Sequence, residues 1–179
     1  LGGNQQSQVG DPDITLRKAI ESVSDKGAVI RAVSPFYNTP CFPAGAGPDY
    51  VNAVMCLEAD WSPEQPLAHL HAVEQTFGRQ RDTRWGQRTL DLDLLAIDAK
   101  VAPDLTTFDA WYSLDVEVQK IKAPDTLILP HPRMQDRAFV LVPMADVAPE
   151  WRHPVLGKTV LEMLAALPAS LKDEVKPRE

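Results

Sequence analysis

No stretch of this chain approaches the roughly 20 consecutive apolar residues that cross a bilayer, and its first residues lack the basic-then-apolar pattern of a secretory signal. A helical membrane protein is thereby excluded, and no membrane partner is expected. Cysteine is scarce. Cys41 and Cys56 are the only two, without a C-x-x-C pair or zinc-ligand spacing, which excludes a disulfide scaffold and a structural zinc site. Both lie in apolar surroundings and read as buried free thiols, which suits a reducing cytoplasm. Positive charge is also short: 18 Lys and Arg stand against 25 Asp and Glu, a formal net charge of −7. A general nucleic-acid binder is therefore disfavoured, and any polyanion must meet a local basic cluster. Complete phosphate loops are missing. Gly157-Lys158-Thr159 has Arg152 where the loop requires Gly, so a helix start is the better reading. Gly45-Ala46-Gly47 fails the dinucleotide pattern at Tyr50. His69 and His71 are two apart on a helix and face different ways, so they make no metal pair; His69 and His153 read as surface histidines. There is no initiator Met before Leu1-Gly2-Gly3-Asn4, so residues upstream and a truncated first strand are expected.

What is present has clear periodicity. Leu16, Ala19, Ile20 and Val23 make one face of a helix between Asp11 and Gly27. Ala28–Val33 is β-branched and strand-like, a Pro- and Gly-rich loop follows, and Tyr50–Ala59 alternates between two faces. A second helix opens at Ser62, with Gln65 completing a capping box, and buries Leu67, Leu70, Val73 and Phe77. Thr89–Ile97 reads as another strand, Pro143 breaks an apolar stretch, and Lys158–Leu167 reads as a third helix. With a strand ahead of the first helix, this order predicts an α+β fold: a ferredoxin-like βαββαβ core with an antiparallel sheet, helices on one face and C-terminal additions. The 179 residues fit one domain. The tail from about 172 to 179 is charged and expected to fray.

Three segments carry chemistry. Residues 84–95 read Arg-Trp-Gly-Gln-Arg-Thr-Leu-Asp-Leu-Asp-Leu-Leu. Period-two alternation puts Asp91 and Asp93 on one face of an extended chain and Leu90, Leu92 and Leu94 on the other. Adjacent carboxylates repel unless a cation lies between them, and hard oxygen ligands at this spacing suit Mg²⁺; alone, the pair could equally be a solvated strand face. Arg79, Arg81, Arg84 and Arg88 fall within ten residues just before it, and with Gly78 and Gly86 they make an arginine-rich stretch expected to be a mobile loop that closes when phosphates arrive. Acids beside phosphate-binding arginines are the parts of a phosphoryl-transfer site. The second segment, His131-Pro132-Arg133-Met134-Gln135-Asp136-Arg137-Ala138-Phe139, offers a His and two Arg ahead of an aromatic, or simply a polar loop closing on a core Phe. In the third, Tyr37-Asn38-Thr39-Pro40 precedes Tyr50-Val51-Asn52, where the Asn52 amide matches the edge of a fused heterocycle or else is one polar strand residue.

Together these motifs resemble the 6-hydroxymethyl-7,8-dihydropterin pyrophosphokinase family. Leu1-Gly2-Gly3-Asn4, Ser34–Pro40, Asp49–Asn52, Glu74–Arg79, Arg84–Asp93 and Pro130–Phe139 match that family's patterns in order along nearly the whole chain, with Gln87 where the family has Pro. The resemblance implies a Mg²⁺-dependent transfer of pyrophosphate from ATP to the hydroxymethyl group of 6-hydroxymethyl-7,8-dihydropterin, with AMP released, in folate biosynthesis. It assigns two Mg²⁺ ions to Asp91 and Asp93, and stabilisation of the transferring phosphates to Arg79 and Arg88. His71, Glu74, Arg81, His131 and Arg137 would bind ATP. Thr39, Pro40, Phe42, Tyr50, Asn52, Trp85 and Phe139 would bind the pterin. No general base stands out. The partners expected are these two small molecules and no nucleic acid, with the chain a monomer or homodimer. Where some relatives have an Arg just before the Pro-His, this chain has Thr126.

Two other readings fit less well. A ferredoxin-like nucleotide-binding module that has lost catalysis would carry lesions in the acids or arginines, and none is found. An RNA binder would need a basic face with exposed aromatics. Residues from about 100 to 123 look inserted. Leu114, Val116 and Val118 alternate with Asp115, Glu117 and Gln119, which predicts an added strand or hairpin over roughly 113–129.

Overall fold

The computed structural model describes residues 1–25, 27–41, 47–62, 65–78 and 88–179. Its elements are β1 (Gly2–Gly3), α1 (Pro12–Ser24), β2 (Val29–Val33), β3 (Tyr37–Thr39), β4 (Tyr50–Asn52), β5 (Met55–Glu58), α2 (Gln65–Thr76), α3 (Leu105–Tyr112), α4 (Val116–Ile121), α5 (Ala138–Val147), α6 (Val160–Ala166), α7 (Ala169–Asp173) and β6 (Lys176–Pro177). Mixed helix and antiparallel sheet is the class the periodicities predict. β1, β4, β3 and β6 form one sheet in that order, and β2 pairs with β5 in a second.

The single strand expected over Tyr50–Ala59 is divided at Ala53 and Val54. The Val54 N–H donates to Ser34 Oγ at 3.0 Å, and the Ala53 N–H to the Leu1 carbonyl at 3.0 Å. The alternation survives the break. Val51 packs with Leu16, Ala19 and Val23 of α1 and Leu70 and Val73 of α2, and Met55 and Leu57 lie against the same cluster. Val54 faces the opposite cluster, with Leu141 and Met144 of α5. Helices therefore cover both sides, the second one through the C-terminal additions.

The motif Leu1-Gly2-Gly3-Asn4 has a steric reason. A Cβ on Gly2 would lie 2.6 Å from Asn52 Oδ1, and one on Gly3 2.6 Å from the Thr89 carbonyl oxygen. Only glycine lets the extended chain at 88–92 and the Asn52 side chain come this close to β1. Asn4 then clamps the end. Its Oδ1 accepts from the Arg88 N–H at 2.9 Å, and its Nδ2 donates to the Pro48 carbonyl at 3.0 Å.

Several expectations are corrected. Among the described residues Thr89–Ile97 forms only one bridge, between Asp91 and Gly2, because its next amide is taken by a side chain: the Leu92 N–H donates to Glu74 Oε1 at 2.7 Å. The hairpin predicted over 113–129 is helical at its start. Asp104 and Asp115 cap α3 and α4, accepting from the Thr107 and Glu117 N–H groups at 2.8 Å each, and such caps start helices. The tail does not fray: Val175 is buried, β6 pairs with β3, and the Arg178 side chain reaches Asp13 and Asn38. Pro143 lies inside α5. It withholds one N–H, the one that would meet the Phe139 carbonyl, and the buried packing of Leu141 and Met144 outweighs that loss. Gly157-Lys158-Thr159 does precede a helix, with Thr159 and Glu162 forming a capping box. Cys41 and Cys56 are free thiols, the first buried and the second half-buried.

His69 and His153 are buried rather than on the surface. His69 Nε2 lies 2.9 Å from the Val23 carbonyl. His153 Nδ1 accepts from the Val155 and Leu156 N–H groups at 3.2 Å each, and the ring meets Phe108 and Trp151 edge-on. Burial pushes the His153 pKa down to about 4. Between that value and the ordinary one near 6.5, the unfolded chain binds a proton that the folded chain refuses. This contribution to stability is complete above about pH 6.5 and is lost as pH falls toward 4. Denaturant unfolding at pH 7.5 and pH 5 should differ by about 2 kcal/mol from this group, and His153→Gln should flatten the dependence. Equal stability of the native chain at the two pH values would contradict this reading.

Candidate active site

An open recess of about 480 Å³ lies beside the acidic segment. Leu67 and His71 of α2 line one part of it, and Asp93 and Leu94 of the extended segment another. His131, Arg133 and Arg137 come from the turn that leads into α5, and Trp111, Lys122 and Thr126 from the excursion between residues 100 and 129. Four of the residues expected to act on ATP or metal, His71, Asp93, His131 and Arg137, thus share one cavity.

Its electrostatics are specific. His131 Nδ1 accepts from the Arg133 N–H at 3.1 Å. Burial pushes the His131 pKa down to about 4, against the pull of Asp93. The ring is therefore neutral at pH 7 and carries its proton on Nε2, a hydrogen-bond donor without charge. Asp93 is exposed at the recess that it lines. Burial works against its ionisation, but the charges of His131, Arg137, the Leu1 ammonium and Arg88 outweigh it and hold the carboxyl below its usual range.

Asp91 is two residues away and about one-fifth exposed, and it pairs with Arg88. Its bridge to Gly2 continues through the pair Gly2–Asn52 to the pair Asn52–Tyr37. Directly opposed antiparallel residues point to the same face, so Asp91 and Asn52 lie in one row on one side of the sheet, separated only by a glycine. At the usual strand spacing this places their backbones roughly 10 Å apart. Asn52 is buried, with Nδ2 donating to Thr39 Oγ1 at 2.7 Å. Burial pushes the neighbouring Tyr50 phenol up, while Arg88 acts in the opposite direction. Thr39 is buried, Pro40 is exposed, and Phe139 stands exposed on α5 with the Arg137 guanidinium 5.6 Å from its ring centroid.

Glu74 departs from its expected place on the nucleotide side. It is 1% exposed and holds the Leu92 N–H, the amide between the two aspartates. Phe42, Arg79, Arg81 and Trp85, and with them the closing loop, lie outside the described residues. Among the described residues no group of three or more His, Cys, Asp or Glu could hold a metal. Two carboxylates alone suit Mg²⁺ that arrives with waters and phosphate oxygens completing its shell, and not a resident ion. Sequence reasoning gave no role to Leu67, Trp111 or Lys122. Leu67 reads as core of the second helix, and nothing local in the sequence marks Leu67, Trp111 or Lys122 as cavity wall.

A family model described as 7,8-dihydro-6-hydroxymethylpterin-pyrophosphokinase matches residues 1–149. A Synechocystis protein named 2-amino-4-hydroxy-6-hydroxymethyldihydropteridine pyrophosphokinase is 36% identical over 165 residues, which cover 92% of this chain and 72% of that protein. Proteins of the same name are 41% identical over 138 residues in Pseudomonas aeruginosa, covering 76% and 72%, and 31% identical over 165 residues in Methylorubrum extorquens, covering 92% and 90%.

Proposed function

The chain belongs to the 7,8-dihydro-6-hydroxymethylpterin-pyrophosphokinase family, and we propose that it transfers the pyrophosphoryl group of ATP to the hydroxymethyl group of 6-hydroxymethyl-7,8-dihydropterin in folate biosynthesis. The observation that carries this is the cross-strand row of Asp91, Gly2 and Asn52 beside the recess that holds Asp93, His131 and Arg137. A pterin held by Asn52 would have its hydroxymethyl arm directed along the row toward phosphates gathered at the acids. The pterin oxygen would bond to the β-phosphorus, the bond from that phosphorus to the α,β-bridging oxygen would break, and AMP would leave with that oxygen.

The roles follow from the chemistry of each group. Asp91 and Asp93 would hold two Mg²⁺ ions, which when bound neutralise phosphate charge. Arg88 would leave Asp91 for phosphate oxygens, and Arg79 and Arg81 would join it. Arg137 and the uncharged Nε2–H of His131 would steady the nucleotide, with His71 beside them. Thr39, Pro40, Phe42, Tyr50, Trp85 and Phe139 would enclose the pterin around Asn52. The succession of the 88–93 segment, β1, the β4–β5 run and the β2–β3 run, each antiparallel to the next, supports a ferredoxin-like reading of the core.

The direct test is AMP release from ATP with and without the pterin alcohol. Release that does not depend on the pterin, or no release at all, would overturn the proposal. A finer test is Asn52→Ala. An unpaired heterocycle edge costs roughly 1–3 kcal/mol, so pterin affinity should fall by about 5- to 150-fold while affinity for an ATP analogue changes little. Equal losses for both ligands in calorimetry would remove Asn52 from the pterin site.

A further inference from the structure

The excursion between Ala102 and Leu129 is a built part of the molecule. Its two ends are tied by reciprocal hydrogen bonds, Ala102 N–H to the Leu129 carbonyl at 2.9 Å and Leu129 N–H to the Ala102 carbonyl at 3.0 Å. Between them α3 is capped by both oxygens of Asp104. Phe108 is fully buried, stacked on Tyr112 at 5.8 Å and edge-on to His153 at 5.7 Å. This anchor fixes α3 to the C-terminal part of the chain. Trp111, three residues further on and so on an adjoining strip of the helix, lines the recess that contains Asp93. After α4 the chain returns along the same recess, where Lys122 stands at its wall. Lys122 is exposed and forms no ion pair with a described residue.

A nucleoside triphosphate is a polyanion that gains from every cation along its phosphates, and of the basic residues that line the recess Arg133 is paired with Asp136 while Lys122 has no such pair among the described residues. The nucleotide also needs a flat apolar surface for its base. Resting on the reading that this recess takes ATP, we infer that the excursion is the outer wall of the nucleotide site. In it Lys122 contacts the phosphates and Trp111 lies against the base. Aromatic surfaces stack on any base without reading its edge. A lysine acts on phosphate as a mobile point charge. Both residues thus set affinity for ATP and leave the pterin side alone.

The test uses the full chain and four variants, Lys122→Ala, Lys122→Arg, Trp111→Ala and Trp111→Phe. The KM for ATP, the KM for the pterin and kcat are measured, together with calorimetric binding of a non-hydrolysable ATP analogue. Lys122→Ala should weaken ATP by about fivefold or more and Trp111→Ala by about tenfold, with pterin KM within about twofold of the native value. Lys122→Arg and Trp111→Phe should restore most of the loss. Lys122 is exposed, so its variants test the idea even if Trp111→Ala disturbs α3. Unchanged ATP binding in both Ala variants of an enzyme that still releases AMP would overturn the inference and leave the proposed function standing. Absence of pterin-dependent AMP release from the native chain would overturn the proposed function itself, and the inference with it.

Discussion

Asp93→Ala should lower turnover by about a thousandfold or more and leave the fold intact. The side chain opens to the recess, and its main-chain neighbour Leu92 is held by Glu74, not by the Asp93 carboxylate, so the backbone keeps its course when the carboxylate is removed. What is lost is a negative charge, held below its usual pKa by the positive groups around it, His131 and then Arg137 foremost, in a position to bind Mg²⁺ on the transferring phosphates. Metal-assisted charge neutralisation is worth several kcal/mol, and each 1.36 kcal/mol is tenfold in rate. Asp93→Asn should be nearly as damaging, because a neutral amide keeps the shape without the charge. Asp91→Ala should behave similarly, with a smaller structural penalty for Arg88, which becomes free to meet phosphate. The check is kcat at saturating ATP and Mg²⁺ alongside a denaturant melt. Near-native kcat in the Asp93 and Asp91 variants would sink the metal assignment, and a collapsed melt would show that the acids are structural.

The parts of this site that could be read from the sequence are those set by local rules. Asp91 and Asp93 stand opposite Leu90 and Leu92 because only one side of that segment meets the core. Leu90 and Leu92 are indeed buried with Leu16 and Val73. The two faces of Tyr50–Leu57 were legible for the same reason. What could not be read depends on partners distant in sequence. The segment after Thr89 looks like a full strand, yet its amide at Leu92 goes to Glu74, 18 positions earlier. Alternation at Leu114, Val116 and Val118 favours a strand, because residues two apart do not share a helix face, yet Val116–Ile121 is helical. The decisive signs were Asp104 and Asp115, which cap the two helices. The charged tail gave no hint that Arg178 would find Asp13, 165 positions away.

Glu74→Ala should damage both stability and turnover, and the combination separates a positioning role from direct contact with ATP. Glu74 is 1% exposed, and its Oε1 accepts the Leu92 N–H at 2.7 Å. Removal strands a buried amide, at about 1–3 kcal/mol, and leaves a void beside Val73 and Leu92, so a total near 3 kcal/mol is expected. The kinetic effect follows from geometry. Leu92 lies between the two aspartates, and beyond the Gly2 bridge at Asp91 this bond is what holds the backbone there. Small displacements of reacting groups can cost about a hundredfold. The loss should therefore appear in kcat, with the KM for ATP nearly unchanged, because Glu74 does not line the recess. Glu74→Gln keeps an acceptor at the same reach and should recover most of the stability and much of the rate. A carboxylate that touched the nucleotide directly would give the opposite split, a raised KM for ATP with little loss of stability. That result in steady-state kinetics and denaturant melts would return Glu74 to the ATP-binding set.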